Sequence, residues 1–439
     1  MGTFVPGSPA EQQEMLRQAG YDGWDALFSD VPESVRLADG ELALPDGLSE
    51  MEAIAHMRAL AGENHIFPHL FRGAGAYRHY IPAIVGRVTR KENFLTAYTP
   101  YQAEISQGIL QSIFEYQSMI CELTGMDVSN ASIYDGAAAT AEAAAMCTER
   151  RRTTVLLSSA LPPQVIETVK TYCFGSDTPV VLIPEREGHT DLDALSGLLD
   201  DTTACVILAQ PNYYGLIEDA ARAAALAHQA GAKFILNCNP ISLGLLATPA
   251  SCGADIAVGE GQPLGMPLAW GGPYLGYMAA TTAMMRKLPG RIVGETTDAD
   301  GNRAFVLTLQ AREQHIRREK AKSNVCSNEA LCALTAAVYL SAVGPDGLTQ
   351  IAQRCCDNAH YLQQALAQAG LPPAYPGEFF HEFVTLCPQP QRLLAALAEK
   401  DILGGLPLGE NRILWCATEC NTREEMDQVA QIAKEVAGQ

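Results

Sequence analysis

The sequence predicts an α/β protein with a doubly wound, mainly parallel sheet, a helical N-terminal region before it and a smaller α+β region after it. Three observations predict this. Between about residues 135 and 280, five short apolar runs, TTVLLSS, PVVLIP, ACVILA, KFILNC and DIAVG, alternate with helix-length segments. Their centres are apolar without alternation, the pattern of strands covered by helices on both faces. On either side of this block, apolar residues recur at steps of three and four, which is the helical repeat.

Residues 1–65 read as a helical region, with Ser8 placed to cap the run Ala10 to Leu16. The following segment, HIFPHLFRGAGAYRHYIP, is rich in glycine, proline and aromatic residues and suits an ordered loop. Ile109, Ile113, Tyr116, Ile120 and Leu123 then fall on one face of a helix over 106–123. The alanine-rich stretch Ala137 to Met146 is helical, and the strand block follows it. The charged segment LTLQAREQHIRREKAKSN, residues 307–324, is expected to begin as a helix. Helical runs at 329–343 and 346–370, strands EFVTLC and RILWCATE, and a helix after Thr422 complete the chain. The expected domains are 1–65, 66–310 and 311–439.

Composition removes several function classes. A formal net charge of −20 opposes nucleic acid and anionic lipid surfaces, so neither is an expected partner. No apolar run approaches the ~20 residues of a bilayer-spanning helix. The start MGTFVPGSPAEQQEM lacks the basic and apolar stretches of a secretory signal, which makes the cytoplasm the expected location. The thirteen cysteines never form CxxC and indicate neither a disulfide framework nor a metal site. Cys355 and Cys356 are adjacent, and side chains of helical neighbours diverge.

Long segments carry a more specific signal. YTPYQAEISQG at 98–108, YQSMICELTGMDVSNASIYDGAAATAEA at 116–143, LQAREQHIRREKAKSN at 309–324 and the stretch Asn239 to Gly276 resemble the glycine decarboxylase family, also called P-protein. The resemblance runs from about residue 50 to the C-terminus, and the length is similar to one half of the single-chain form, as in its split, two-subunit version. It implies the fold-type I architecture of pyridoxal-phosphate enzymes. It also implies release of carbon dioxide from glycine and transfer of the aminomethyl group to the lipoyl arm of H-protein, with pyridoxal phosphate as electron sink.

Such chemistry needs a lysine to hold the cofactor as a Schiff base. In the family's catalytic half that lysine precedes a GGP turn; here Gln262 stands in its place ahead of Gly271-Gly272-Pro273, and no lysine occurs between Pro240 and Arg286. Asn237 and Asn239 lie where the catalytic half presents an aspartate to the pyridine nitrogen. The resemblance therefore implies a lysine-less subunit whose cofactor is bound by a lysine-bearing subunit 2, in an α2β2 assembly that serves lipoylated H-protein. In such dimers the site lies between subunits. Tyr98, Tyr101, Gln102 and Glu104 are the candidates this chain lends to its partner.

Plainer readings stand beside these. Tyr98 and Tyr101 also suit a packed ring and a paired hydroxyl. Asp135-Gly136 can cradle a phosphate at a helix start, but the aspartate favours capping. Lys320 and Lys322 tempt as cofactor anchors, yet their Arg/Lys/Glu-rich run fits a solvated or inter-subunit face. His65, His69 and His79, near Arg72 and Arg78, are expected to be loop histidines without a carboxylate or cysteine at ligand spacing. Gly73-Ala74-Gly75 is too short for a phosphate loop. The alternative functions are an independent pyridoxal-phosphate enzyme using an unforeseen lysine and a non-catalytic scaffold.

Overall fold

A computed structural model describes residues 7–37, 44–325 and 327–437. Positions 1–6 and 38–43 of the expected helical region, and Cys326 among the cysteines, lie outside the described residues. The chain divides into two compact units, Met1–Ile66 and Phe67–Gln439.

In the first unit, α1 spans Pro9–Gln18. Ser8 Oγ accepts from the Glu11 amide while the Glu11 carboxylate accepts from the Ser8 amide, a reciprocal cap that satisfies two otherwise unpaired donors. Ser49 and Glu52 repeat the device at the start of α2, Glu50–Gly62.

The second unit is built on a seven-stranded sheet: β1 (Val128–Ser129), β2 (Thr154–Ser158), β3 (Val180–Ile183), β4 (Thr203–Gln210), β5 (Lys233–Cys238), β6 (Ile256–Glu260) and β7 (Gly276–Ala280). The spatial order is β1-β7-β6-β5-β4-β2-β3. Strands β2 to β6 pair in parallel, and β7 runs antiparallel to β6 and β1. Period-two alternation sends successive side chains to opposite faces, and both faces are apolar. On one face Val206, Leu208, Phe234 and Leu236 pack with Tyr116 and Ile120 of α3 (Gln107–Thr124). On the other, Ile207 and Ile235 pack with Ala139 and Ala143 of α4 (Gly136–Cys147) and Val165 and Val169 of α5 (Pro163–Gly175). Each buried Val, Leu, Ile or Phe among these contributes roughly 1.5–3 kcal/mol, the alanines less. The expected doubly wound sheet is thus observed; the sequence reading missed β1 and β7.

The segment 307–324 departs from expectation. Leu307 and Thr308 end β9 (Arg303–Thr308), which pairs antiparallel with β8 (Ile292–Thr297). Short turns over Gln310–Arg312, Gln314–Arg317 and Arg318–Lys320 replace a continuous helix. Leu309 and Arg318, at φ 52° and 54°, adopt positive-φ backbone that no right-handed helix can contain.

Helix α6, Ala330–Gln368, joins the two expected helical runs across a break at Gly344 (φ 63°) and Pro345. By length and composition it is apolar enough to cross a membrane, but Ala336, Tyr339, Ala352 and Cys355 belong to the sheet's core and Ala359, Leu362 and Leu366 to a third cluster. That cluster lies against a small antiparallel sheet of β10 (Glu382–Leu386), β11 (Leu406–Gly409) and β12 (Arg412–Cys416), ordered β10-β12-β11. Trp415 fills its centre, fully buried, with Nε1 donating to Thr385 Oγ1 at 2.9 Å.

Candidate functional site

The carboxyl ends of parallel strands diverge at a crevice, the usual ligand site of open α/β sheets. Here that crevice is a cavity of about 560 Å³. Ala209 and Asn212 line it at the end of β4, Asn237 and Asn239 at the end of β5, Glu260 at the end of β6, and Asp135 and Gly136 at the start of α4. The loop Gly73–Tyr77 forms one wall, and His381 and Glu382 at the start of β10 form another.

The start of α4 offers unpaired amides and a positive dipole end. Two carboxylates already occupy them. Asp135 accepts from the Ala138 amide at 2.7 Å, and Glu260 accepts from Gly136 at 3.0 Å. Glu260 also accepts from Gln262 (3.0 Å) and Leu275 (3.1 Å); burial nevertheless outweighs these bonds and pushes its carboxyl up to about 7. Approach is close: a Cβ on Gly136 would lie 2.6 Å from the Glu260 amide nitrogen. The capping reading of Asp135 carries an expected result. Asp135→Ala should lower stability by about 1 kcal/mol, measured by urea unfolding, since one orphan amide loses its partner.

Gln262 follows β6 and is 1% exposed. Its side-chain oxygen accepts from the Tyr77 amide at 2.9 Å, while its nitrogen donates to the carbonyls of Tyr77 (2.9 Å) and Met266 (2.8 Å). Glu382 holds the same loop from the other side, accepting from the Ala74 amide at 2.6 Å and the Tyr77 hydroxyl at 2.7 Å. Burial pushes the Glu382 carboxyl up to about 7 and the Tyr77 phenol well above its ordinary range. His381, also buried, is pulled down to about 3 and stays neutral; its Nδ1 has no partner. Asn237 donates to Thr140 Oγ1 at 2.9 Å, and Asn239 lies 3.4 Å from His381 Nε2.

The cofactor implied by the resemblance does not fit these residues. Among the described residues the lining includes Asp135, Glu260, Glu329 and Glu382 but neither lysine nor arginine. A phosphate would meet filled amide donors and like charge, and an aldehyde would find an amide in place of an amine.

The remaining sequence candidates lie elsewhere. Tyr98, Tyr101, Gln102 and Glu104 are exposed on a surface segment outside the cavity lining, Tyr98 by 83% and Tyr101 by 63%. Lys322 donates to the Thr148 carbonyl at 2.6 Å and Lys320 is exposed; neither lines the cavity. Gly73-Ala74-Gly75 does line it, but through amides directed at Glu382 and Tyr77. The expectation for His69 and His79 is corrected: His69 Nδ1 lies 2.7 Å from Glu425 Oε1, His79 Nδ1 lies 2.8 Å from Glu419 Oε2, and Cys355 Sγ lies 3.2 Å from that Glu419 oxygen. These partners come from hundreds of residues away, so local spacing did not reveal them. Glu260, Glu382 and His381 were also missed; Glu260 and Glu382, carboxylates bounding apolar runs, left a sequence signal and His381 did not.

Comparison with known proteins agrees with this geometry. The family model described as "Glycine cleavage system P-protein" matches residues 2–433. The chain is 52% identical over 434 residues to the probable glycine dehydrogenase (decarboxylating) subunit 1 of Moorella thermoacetica, covering 97% of each. It is 49% identical to the protein of the same description from Syntrophomonas wolfei, covering 98% of each. A crystal structure of glycine decarboxylase (P-protein) of the glycine cleavage system, in inhibitor-bound form, superposes with a TM-score of 0.91 at 40% identity, covering 99% of this chain and all of that one. A sphingosine-1-phosphate lyase of Burkholderia pseudomallei shares the fold alone, at TM-score 0.66, 13% identity and 94% of each chain. The fold is therefore that of fold-type I pyridoxal-phosphate enzymes, and the chain belongs to the glycine cleavage system P-protein family.

Proposed function

We propose that the chain works as the lysine-less subunit of a two-chain glycine dehydrogenase (decarboxylating). With a lysine-bearing subunit 2, in an α2β2 assembly, it decarboxylates glycine and passes the aminomethyl group to the lipoyl group of H-protein in the cytoplasm. A large domain over 66–310 and a small one over 311–439 form its body. Pyridoxal phosphate is bound by the partner and supplies the electron sink there.

The observation that supports this reading is the cavity itself. It sits where open α/β sheets bind ligands, yet among the described residues its lining has four carboxylates and no lysine or arginine, and its helix amides are occupied by Asp135 and Glu260. Gln262, at the lysine position, ties down the Tyr77 loop. What the chain offers to chemistry is instead the exposed segment bearing Tyr98, Tyr101, Gln102 and Glu104, whose hydroxyl, amide and carboxylate groups can reach a neighbouring subunit's site.

The test is reconstitution. The purified chain alone should show no coenzyme absorbance and no exchange of labelled bicarbonate into glycine, and both should arise on mixing with subunit 2. A chain that exchanges unaided supports an independent enzyme. One that neither associates nor activates supports a scaffold.

A further inference from the structure

An ion buried without a counter-charge is costly, so a structure that keeps one leaves a vacancy for a partner charge. Arg291 is such a group. It precedes β8 and is 8% exposed, yet among the described residues no carboxylate forms an ion pair with it. Its Nε has no partner, and Nη2 reaches only the Tyr101 hydroxyl, at a long 3.4 Å. The guanidinium carbon lies 5.6 Å from the Tyr101 ring centre, so the aromatic face supplies part of the missing stabilisation.

A second orphan borders the same connection. Arg312 donates through Nη1 to the carbonyl of Leu288, three residues before Arg291, while its Nε and Nη2 are buried without partners. The adjacent carboxylate, Glu313, lies 3.5 Å from His315 and acts on Arg312 through its charge without a hydrogen bond. Over Arg291 lies a segment whose large apolar groups are exposed: Leu95 by 54%, Tyr98 by 83%, Tyr101 by 63% and Ile105 by 81%. An apolar patch with the unpaired Arg291 guanidinium beneath it is the arrangement of an interface centre whose counter-charge comes from outside.

We propose that Arg291, under Tyr101, binds a carboxylate brought to it when the lysine-bearing partner docks. This rests on the two-chain reading above. The planar guanidinium grips both oxygens of a carboxylate, which an ammonium cannot do. Two sources share that chemistry: an aspartate or glutamate side chain of the partner, and the carboxylate of glycine held in the partner's site.

The experiment compares wild type, Arg291→Met and Arg291→Lys. In the isolated chain, Arg291→Met should melt no lower than wild type, because it removes an uncompensated charge; a clear drop would assign Arg291 a purely structural role and overturn the proposal. In the two-chain enzyme, a partner side chain predicts a Kd between subunits raised roughly thirtyfold or more. Substrate carboxylate predicts unchanged association and a KM for glycine raised by a similar factor, with kcat nearly kept. Arg291→Lys should recover part of either loss. If wild type associates and Arg291→Met matches it in Kd and KM, the carboxylate site is wrong while the two-chain reading stands. If wild type never associates, both fall.

Discussion

Gln262→Lys should leave the isolated chain colourless after incubation with pyridoxal phosphate, with no coenzyme–lysine adduct fixed by borohydride. The new amine would arrive at a position 1% exposed, beside Glu260, which accepts from the backbone amide of residue 262. A carboxylate neighbour favours the ammonium form, whereas capture of an aldehyde needs the neutral amine. The phosphate end fares no better, because the amides of Gly136 and Ala138 stay paired to Glu260 and Asp135. Folding should suffer as well. The amide oxygen that accepts from Tyr77 is lost, and a buried amide left unpaired costs about 1–3 kcal/mol. Urea unfolding should therefore place Gln262→Lys below wild type. A yellow, borohydride-fixable variant would refute the view that the whole pocket, and not one residue, has been rebuilt.

What was legible in the sequence follows from the range of the forces involved. Alternation and helical repeats are local, so β2 to β6, α3 and α4 were readable from runs such as ACVILA and the steps Ile109, Ile113, Tyr116. Strand β7 was not, because its small residues Gly276, Ala279 and Ala280 look like loop until β6 supplies a ladder. The Gln262 substitution was visible as a missing lysine. Its present role was not, since the Tyr77 backbone it holds lies 185 residues away. Glu382 holding Ala74 and Glu419 holding His79 are likewise products of the fold, and no spacing rule reaches that far.

Glu419→Ala should cost about 1–3 kcal/mol, because it leaves the buried His79 Nδ1 without its partner. Glu419 accepts from the Tyr80 amide at 2.7 Å and pairs with His79 at 2.8 Å, where the His79 side chain is 2% exposed. Burial opposes its charge, yet the His79 bond and charge, the Tyr80 amide and the Cys355 thiol together hold its carboxyl down at about 2. A depressed carboxyl stabilises the fold above its unfolded value of 4.5, and that contribution is lost as pH falls from there through 2. Glu142, Glu260 and Glu382 act in the opposite sense. Burial raises each from 4.5 to about 7, so between those values the folded chain holds more protons than the unfolded one and stability falls as pH rises. The rise from Glu419 ends and the fall from the three raised glutamates begins near 4.5; His381, held at about 3 against its ordinary 6.5, adds a smaller rise that the three outweigh. The thermal midpoint should thus be higher at pH ~5 than at pH ~8. Glu382→Gln, which cannot ionise, should flatten the decline between them, and a midpoint that climbs from pH ~5 to ~8 would mean these carboxyls are not held neutral by burial.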